Sequence, residues 1–176
     1  MSKPTLAFIG GGNMATSLIG GLLEQNYPAN NIIVSDPMEE NCLRLQQQFG
    51  INTSSDNLST ASQADVVVLA VKPQVMKQVA QDLSSALKHQ PLVISIAAGI
   101  PLSPLQQWLG DNTPIVRCMP NTPALVQTGA SGLFANSHVS EEQKASATEI
   151  LSAVGISCWL EKEADIDAVT AVSGSG

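Results

Sequence analysis

Aromatic residues are scarce in this chain: three Phe, two Trp and one Tyr, 3% of 176 residues. A surface that stacks nucleic-acid bases needs more of them. Basic residues are scarce as well. Eight Lys and Arg stand against fifteen Asp and Glu, a formal charge of −7, with no basic stripe. That balance excludes a nucleic-acid surface. The only histidines, His89 and His138, have no Cys or His partner at metal-ligand spacing, so no metal site is expected. Cys42, Cys118 and Cys158 are odd in number, far apart and without a C-x-x-C pair. They read as reduced thiols that mostly pack, which fits a cytoplasmic protein. No apolar run approaches the roughly 18–20 residues that span a bilayer, so no membrane partner is expected. The short apolar run near the N-terminus is broken by three glycines, unlike a signal peptide. Internal repeats and low-complexity segments are also missing.

What the chain does have is 44% hydrophobic residues, enough for one well-formed core, and a glycine-rich turn in a telling place. Leu6-Ala7-Phe8-Ile9 is a short apolar strand, and Gly10-Gly11-Gly12-Asn13-Met14-Ala15 follows it directly. Gly10, Gly12 and Ala15 fall on the G-x-G-x-x-G/A frame of dinucleotide-binding units. Gly10 allows a tight turn out of the strand, Gly12 lets the backbone approach a pyrophosphate, and Ala15 lets the helix pack close to the sheet. The helix start then offers free N–H groups and its positive dipole end to an anion. Met14, Leu18 and Leu22 give that helix an apolar stripe. A second strand, residues 31–35, ends at Asp36. This lies 21 residues after Ala15, near the spacing of the acidic residue that meets the adenine ribose.

Strand and helix signals alternate through most of the rest. Residues 64–71, 91–98 and 114–119 are nearly continuous apolar runs, as in parallel strands covered on both faces. Helical patterns cover residues 39–48, 74–87, 101–109 and 141–154, and a weaker strand, residues 156–160, closes the sheet. This order predicts an α/β, doubly wound, mostly parallel Rossmann-like sheet with right-handed crossovers. Ligands of such sheets bind beyond the carboxyl ends of the strands. The segments after Ile9, Ser35, Val71, Ala98 and Met119 should therefore converge on one crevice. Residues 165–172 read as the start of another helix, and the chain stops soon after at Ser173-Gly174-Ser175-Gly176. We expect residues 1–164 to form a dinucleotide-binding domain and 165–176 to open a helical C-terminal domain that the chain lacks.

Several segments together resemble pyrroline-5-carboxylate reductases: the glycine turn, Ala70-Val71-Lys72-Pro73, Ala97-Ala98-Gly99, Arg117-Cys118-Met119-Pro120-Asn121-Thr122-Pro123, and residues 170–176. The glycine frame is common to many dehydrogenases, whereas the Met-Pro-Asn-Thr-Pro run and the terminal Ser-Gly-Ser-Gly are far more specific. The resemblance covers essentially all 176 residues. It implies a reductase that passes hydride from NADP(H) or NAD(H) to the cyclic imine 1-pyrroline-5-carboxylate, giving L-proline, the last step of proline biosynthesis. It further implies that the full-length protein forms a dimer or higher homo-oligomer through the helical domain, which would also hold the proton donor and the substrate carboxylate. The catalytic groups are therefore unknown from this chain, and the piece alone is expected to be inactive. By the same resemblance, Ile9, Gly10, Gly11, Gly12, Asn13 and Met14 hold the pyrophosphate. Ser35, Asp36 and Pro37 border the adenine ribose, and Asn57 bonds the cofactor near its adenosine end. Ala70, Val71, Lys72 and Pro73 line its middle, with Ala97 and Ala98 on the nicotinamide side. Met119, Pro120, Asn121 and Thr122 shape the nicotinamide face and the substrate entrance.

Each of these residues has an ordinary role open to it. Asp36-Pro37-Met38-Glu39 has the form of a helix start, with a cap, Pro at the first position and Glu three residues on. Lys72 could be solvated, and Asn57 could serve a Ser/Asp-rich turn. Pro120 and Pro123 could simply stiffen a loop. Cys118 reads as packing, and residues 161–165 as a solvated connection and cap. An acidic residue after the second strand favours NADH, and NADP enzymes usually place an Arg there. The nearest, Arg44, is about two helical turns along, so the residues alone lean to NADH; the family resembled commonly uses NADPH and often accepts both, and Ser35 could donate to a phosphate, which leaves the choice open. Two other readings compete: a reductase of the 3-hydroxyacid and 6-phosphogluconate dehydrogenase group, and a non-catalytic nucleotide-binding module with the same glycine frame.

Overall fold

The computed structural model describes residues 2–120 and 129–166. Apolar four-residue runs form the centre of one eight-stranded sheet. Its strands are β1 (Leu6–Ile9), β2 (Ile32–Ser35), β3 (Asn52–Ser54), β4 (Val66–Leu69), β5 (Leu92–Ser95), β6 (Ile115–Pro120), β7 (Gly129–Ala135) and β8 (Gly155–Trp159). They lie side by side in the order β3-β2-β1-β4-β5-β6-β7-β8. The first six are parallel, as predicted. β7 runs antiparallel to β6, pairing Cys118 with Leu133, and β8 runs parallel to β7.

Alternation along each strand splits the apolar side chains between two cores. Leu6 and Phe8 point to one face and Ala7 and Ile9 to the other, all fully buried. The first face is covered by α1 (Asn13–Glu24), by Leu45 of α2 (Glu39–Phe49) and by α6 (Glu141–Leu151). The second is covered by α3 (Asn57–Ser62), α4 (Pro73–Leu83) and α5 (Leu102–Leu109). Helices on both faces of a parallel sheet make the doubly wound arrangement. Among the described residues, no helix is long and apolar enough to cross a membrane.

Three elements escape a reading by pattern. β3 is three polar residues at the sheet edge, too short and too hydrophilic for an apolar run. α3 is a short helix, Asn-Leu-Ser-Thr-Ala-Ser, started by Asp56, whose carboxylate accepts the N–H groups of Leu58 and Ser59. β7 is Gly-Ala-Ser-Gly-Leu-Phe-Ala, with no β-branched residue, so strand propensity gives no signal.

One close approach ties α1 to the segment after α6 on the same face of the sheet. Ala153 stands in a 3-10 turn (Ser152–Val154) that leads into β8. A Cβ at Gly21 would lie inside the van der Waals envelope of its carbonyl oxygen and 3.0 Å from its carbonyl carbon.

Candidate functional site

The carboxyl ends of the central strands are locked at one level. Gly10 donates its N–H to the Ser35 carbonyl at 2.8 Å, Ala70 to Ile9 at 2.8 Å, and Ile96 to Leu69 at 3.2 Å. Gly10 then turns with φ +105°, a conformation that L side chains rarely adopt. A Cβ there would stand 2.6 Å from the Ala70 carbonyl oxygen. Both facts require glycine. A Cβ at Gly11 would meet Leu45 Cδ1 at 2.9 Å.

Gly12 is different. It is exposed, has ordinary extended backbone (φ −80°, ψ −164°) and would hold a Cβ with no atom within 4 Å. Gly12 is also the N-cap of α1. No side chain caps this helix, and no acidic residue stands in its first turn. Its first N–H groups are thus left to whatever ligand or solvent meets them. An open cradle above an uncapped helix start is the geometry that receives a phosphate, and no fold requirement accounts for glycine at this position.

Most of the residues singled out in the sequence stand at or just beyond the carboxyl ends of the same set of strands. The buried Ser35 hydroxyl donates to Asn57 Oδ1 at 2.5 Å. Asn57 is the first residue of α3, and the turn chemistry expected of it belongs to Asp56 instead. Lys72 is exposed as the N-cap of α4, with Pro73 at the helix start. Ala70 and Val71 are half-buried beside Gly10, Ala97 is buried and Ala98 exposed. Met119 is half-buried on β6, which Pro120 ends. Asn121 and Thr122 lie outside the described residues.

Asp36 requires a correction. It does not cap α2: that helix starts at Glu39 with Met38 at the N-cap, and Pro37 precedes both. The Asp36 carboxylate turns inward, only 7% of the residue being exposed. Oδ2 accepts the Gly11 N–H at 2.8 Å and Asn41 Nδ2 at 3.2 Å, and Oδ1 accepts the Met38 N–H at 2.8 Å. The residue that reads as a ribose ligand or a cap therefore pins the glycine turn to the end of β2.

Two further groups were not legible as site residues. Arg44 reaches from α2 to the same turn, donating from Nη2 to the Gly11 carbonyl at 2.9 Å and from Nη1 to Thr16 Oγ1 at 3.3 Å. The signal was its neighbour: Leu45 is the buried residue of α2 that touches Gly11. The second group corrects the reading of residues 161–165 as merely solvated. Arg117 of β6, 2% exposed, pairs with Glu163 at 3.1 Å. The same Glu163 oxygen accepts the Leu102 N–H at 2.7 Å, at the start of α5.

Cys118 is fully buried on β6, and burial pushes its thiol up to about 12, only partly offset by a hydrogen bond from Ser131. It stays protonated and unreactive at neutral pH. Cys42 is buried near the Asp36 and Ser54 carbonyls. Cys158 is exposed. A maleimide probe at neutral pH is therefore expected to label Cys158 alone in the native protein and all three thiols after unfolding. Mass spectrometry of the labelled peptides checks this, and label on native Cys118 would contradict the packing described.

The family model described as NADP oxidoreductase, coenzyme F420-dependent, matches residues 5–99, the stretch that carries β1 to β5 and the glycine turn. The chain belongs to that family. Within it, the chain is 57% identical over all 176 residues to the pyrroline-5-carboxylate reductase of Pseudomonas aeruginosa. A solved pyrroline-5-carboxylate reductase from Coxiella burnetii superposes with a TM-score of 0.96 at 42% identity, covering 98% of this chain. The Plasmodium falciparum pyrroline carboxylate reductase, solved with NADP bound, superposes at 0.88 with 32% identity over the whole chain. The chain spans 64% of the length of each of these three relatives.

Proposed function

We propose that this chain is the cofactor-binding part of a pyrroline-5-carboxylate reductase. The observation that carries the reading is the open cradle at Gly12 above the uncapped start of α1. The end-to-end similarity to reductases of that name supports it. A bound NADP(H) or NAD(H) supplies the hydride that reduces the imine carbon of 1-pyrroline-5-carboxylate, while the ring nitrogen gains a proton and L-proline results. The chain's part is placement: reacting carbons must be held about 3–3.5 Å apart with water excluded. Gly10, Gly11, Gly12, Asn13 and Met14 would hold the pyrophosphate, and Ser35 with Asn57 would face the adenosine. Lys72 adds a cation beside the middle of the cofactor. Ala97, Ala98 and Met119 would border the nicotinamide, small side chains at the first two leaving room for the ring.

Residues 1–164 would be the dinucleotide-binding domain. Residues from 165 on would open a helical domain that supplies the proton donor, the carboxylate site and a homo-oligomeric interface, in a cytoplasmic enzyme. Titration of the 176-residue chain with NADPH and NADH, followed by nicotinamide fluorescence, tests the cofactor site, and failure of both to bind overturns the reading. The same chain is expected to form no proline from 1-pyrroline-5-carboxylate, whereas a chain extended to the length of its relatives is expected to do so. Turnover by the 176-residue chain would show that the catalytic groups lie within it.

A further inference from the structure

We infer that Glu163 is a positioning residue for hydride transfer. Its carboxylate clamps the nicotinamide-side turn to the strand at the substrate entrance and to the peptide that leads on through Ile166. The inference rests on the cofactor site proposed above and adds to it the residue that sets where the nicotinamide sits.

The turn after β5 has little of its own to hold it. Ala98 and Gly99 are exposed, Gly99 adopts φ +76°, and a Cβ there would meet no atom within 4 Å. Its position is therefore set at its two ends. At the β5 end, the buried Ser95 Oγ accepts the Ala97 N–H at 3.4 Å. At the other end stands α5, which has Pro101 at its N-cap, no side-chain cap of its own and no acidic residue in its first turn. Glu163 supplies the missing group from 61 residues away, accepting the Leu102 N–H at 2.7 Å. A carboxylate at a helix start both satisfies an N–H and meets the positive end of the dipole.

The same oxygen takes a hydrogen bond from Arg117 Nη1 at 3.1 Å. Arg117 is buried, lies level with Ser95 of β5 across the sheet, and stands two residues before Met119. A helical turn opens at Ala164, directly behind Glu163. The Ile166 N–H returns to the Glu163 carbonyl at 3.0 Å, and Ile166 is itself buried. One side chain thus joins three parts of the reaction site: the turn beside the nicotinamide, the strand at the substrate entrance, and the peptide leading toward the domain proposed to hold the proton donor. The phosphate and adenosine contacts do not run through it. Gly12, Asn13, Ser35 and Asn57 belong to the turn after β1, to α1, to β2 and to α3. Glu163 therefore governs the distance between the reacting carbons and leaves cofactor affinity alone. A misplacement of about 1 Å costs about 100-fold in rate.

Glu163→Ala and Glu163→Gln test this in the chain extended to the length of its relatives, with Lys162→Ala, an exposed neighbour, as control. Glu163→Ala should lower kcat for imine reduction by about 10- to 100-fold, while the dinucleotide Kd from fluorescence titration changes by about twofold or less. Gln keeps an acceptor for the Leu102 N–H without the charge, so Glu163→Gln should lose less than Glu163→Ala. Lys162→Ala should change neither quantity. In the 176-residue chain, bound NADPH at equal occupancy should fluoresce more like free cofactor in Glu163→Ala than in wild type. Thermal unfolding of each variant confirms that the fold survives. Parallel losses of kcat, cofactor affinity and thermal stability would make Glu163 a brace of the fold and overturn the inference, as would an unchanged kcat in Glu163→Ala. Failure of the wild type to bind either dinucleotide, or of the extended wild type to form proline, would instead remove the reading on which the inference rests. That result is distinct from a variant that binds and turns over undiminished.

Discussion

Gly12→Val is expected to lower dinucleotide affinity by about 100-fold or more, which corresponds to about 2.7 kcal/mol, and to leave the fold standing. The two consequences separate because nothing in the protein occupies the space a side chain would take. No atom lies within 4 Å of a Cβ at Gly12, and its extended backbone suits a β-branched residue. The added methyl groups would fill the cradle where a phosphate meets the N–H groups of α1. The cost to the fold is confined to a poorer N-cap, about 1 kcal/mol. Fluorescence titration beside thermal unfolding reads both effects. Retained affinity would remove the phosphate from the glycine turn. A collapse of stability would mean that Gly12 is held by the fold, as Gly10 is.

The largest stability effect is expected at Gly21. In an exposed helix interior, Gly→Ala stabilises by about 1 kcal/mol. Here the sign should reverse. The new methyl would collide with the peptide of Ala153, and backbone cannot swing aside as a side-chain tip can. Either α1 lifts from the turn before β8 or that turn shifts. Each route opens the core around Leu18, Ile19, Leu22, Ile150 and Val154. A loss of about 3 kcal/mol or more is expected, at the upper end for overpacking. The neighbouring Gly20 supplies the control. Its Cβ would rest 3.6 Å from the Phe49 ring, an ordinary contact, so Gly20→Ala should stabilise by about 0.5–1 kcal/mol. Urea unfolding of the pair measures the contrast. Equal effects at both positions would contradict the close approach of α1 to Ala153.

The central parallel strands were legible because each is a short, almost wholly apolar run, buried on both faces. The elements that escaped have no such run, as with Asn52–Ser54 and the glycine-bearing β7. The glycine frame falls on a strand-to-helix turn, and Gly10 and Ala15 do there what local geometry demands of them. Asp36 was found at the right place, but it does not cap α2. Sequence spacing fixes where a residue stands along a strand, not which way its side chain turns once a backbone N–H such as that of Gly11 competes for it. Arg44 and the Arg117–Glu163 pair were hidden for a related reason. Their partners are 33 and 46 residues away, and only the folded chain brings them together.

The seat of α1 against Ala153 has a consequence for what counts as a self-sufficient unit. The family signature ends at residue 99, and everything a phosphate would touch on the glycine turn lies before that point. Yet the helix behind the turn rests its inner stripe on Ala147, Ile150, Leu151, Ala153 and Val154, all well beyond that boundary. A fragment cut at the signature's boundary would keep all of the recognition chemistry and lose the wall that holds it in shape. Grafting this turn onto another scaffold would therefore mean transplanting α6 and the 3-10 turn after it as well, because the recognition loop and its buttress lie far apart in the sequence.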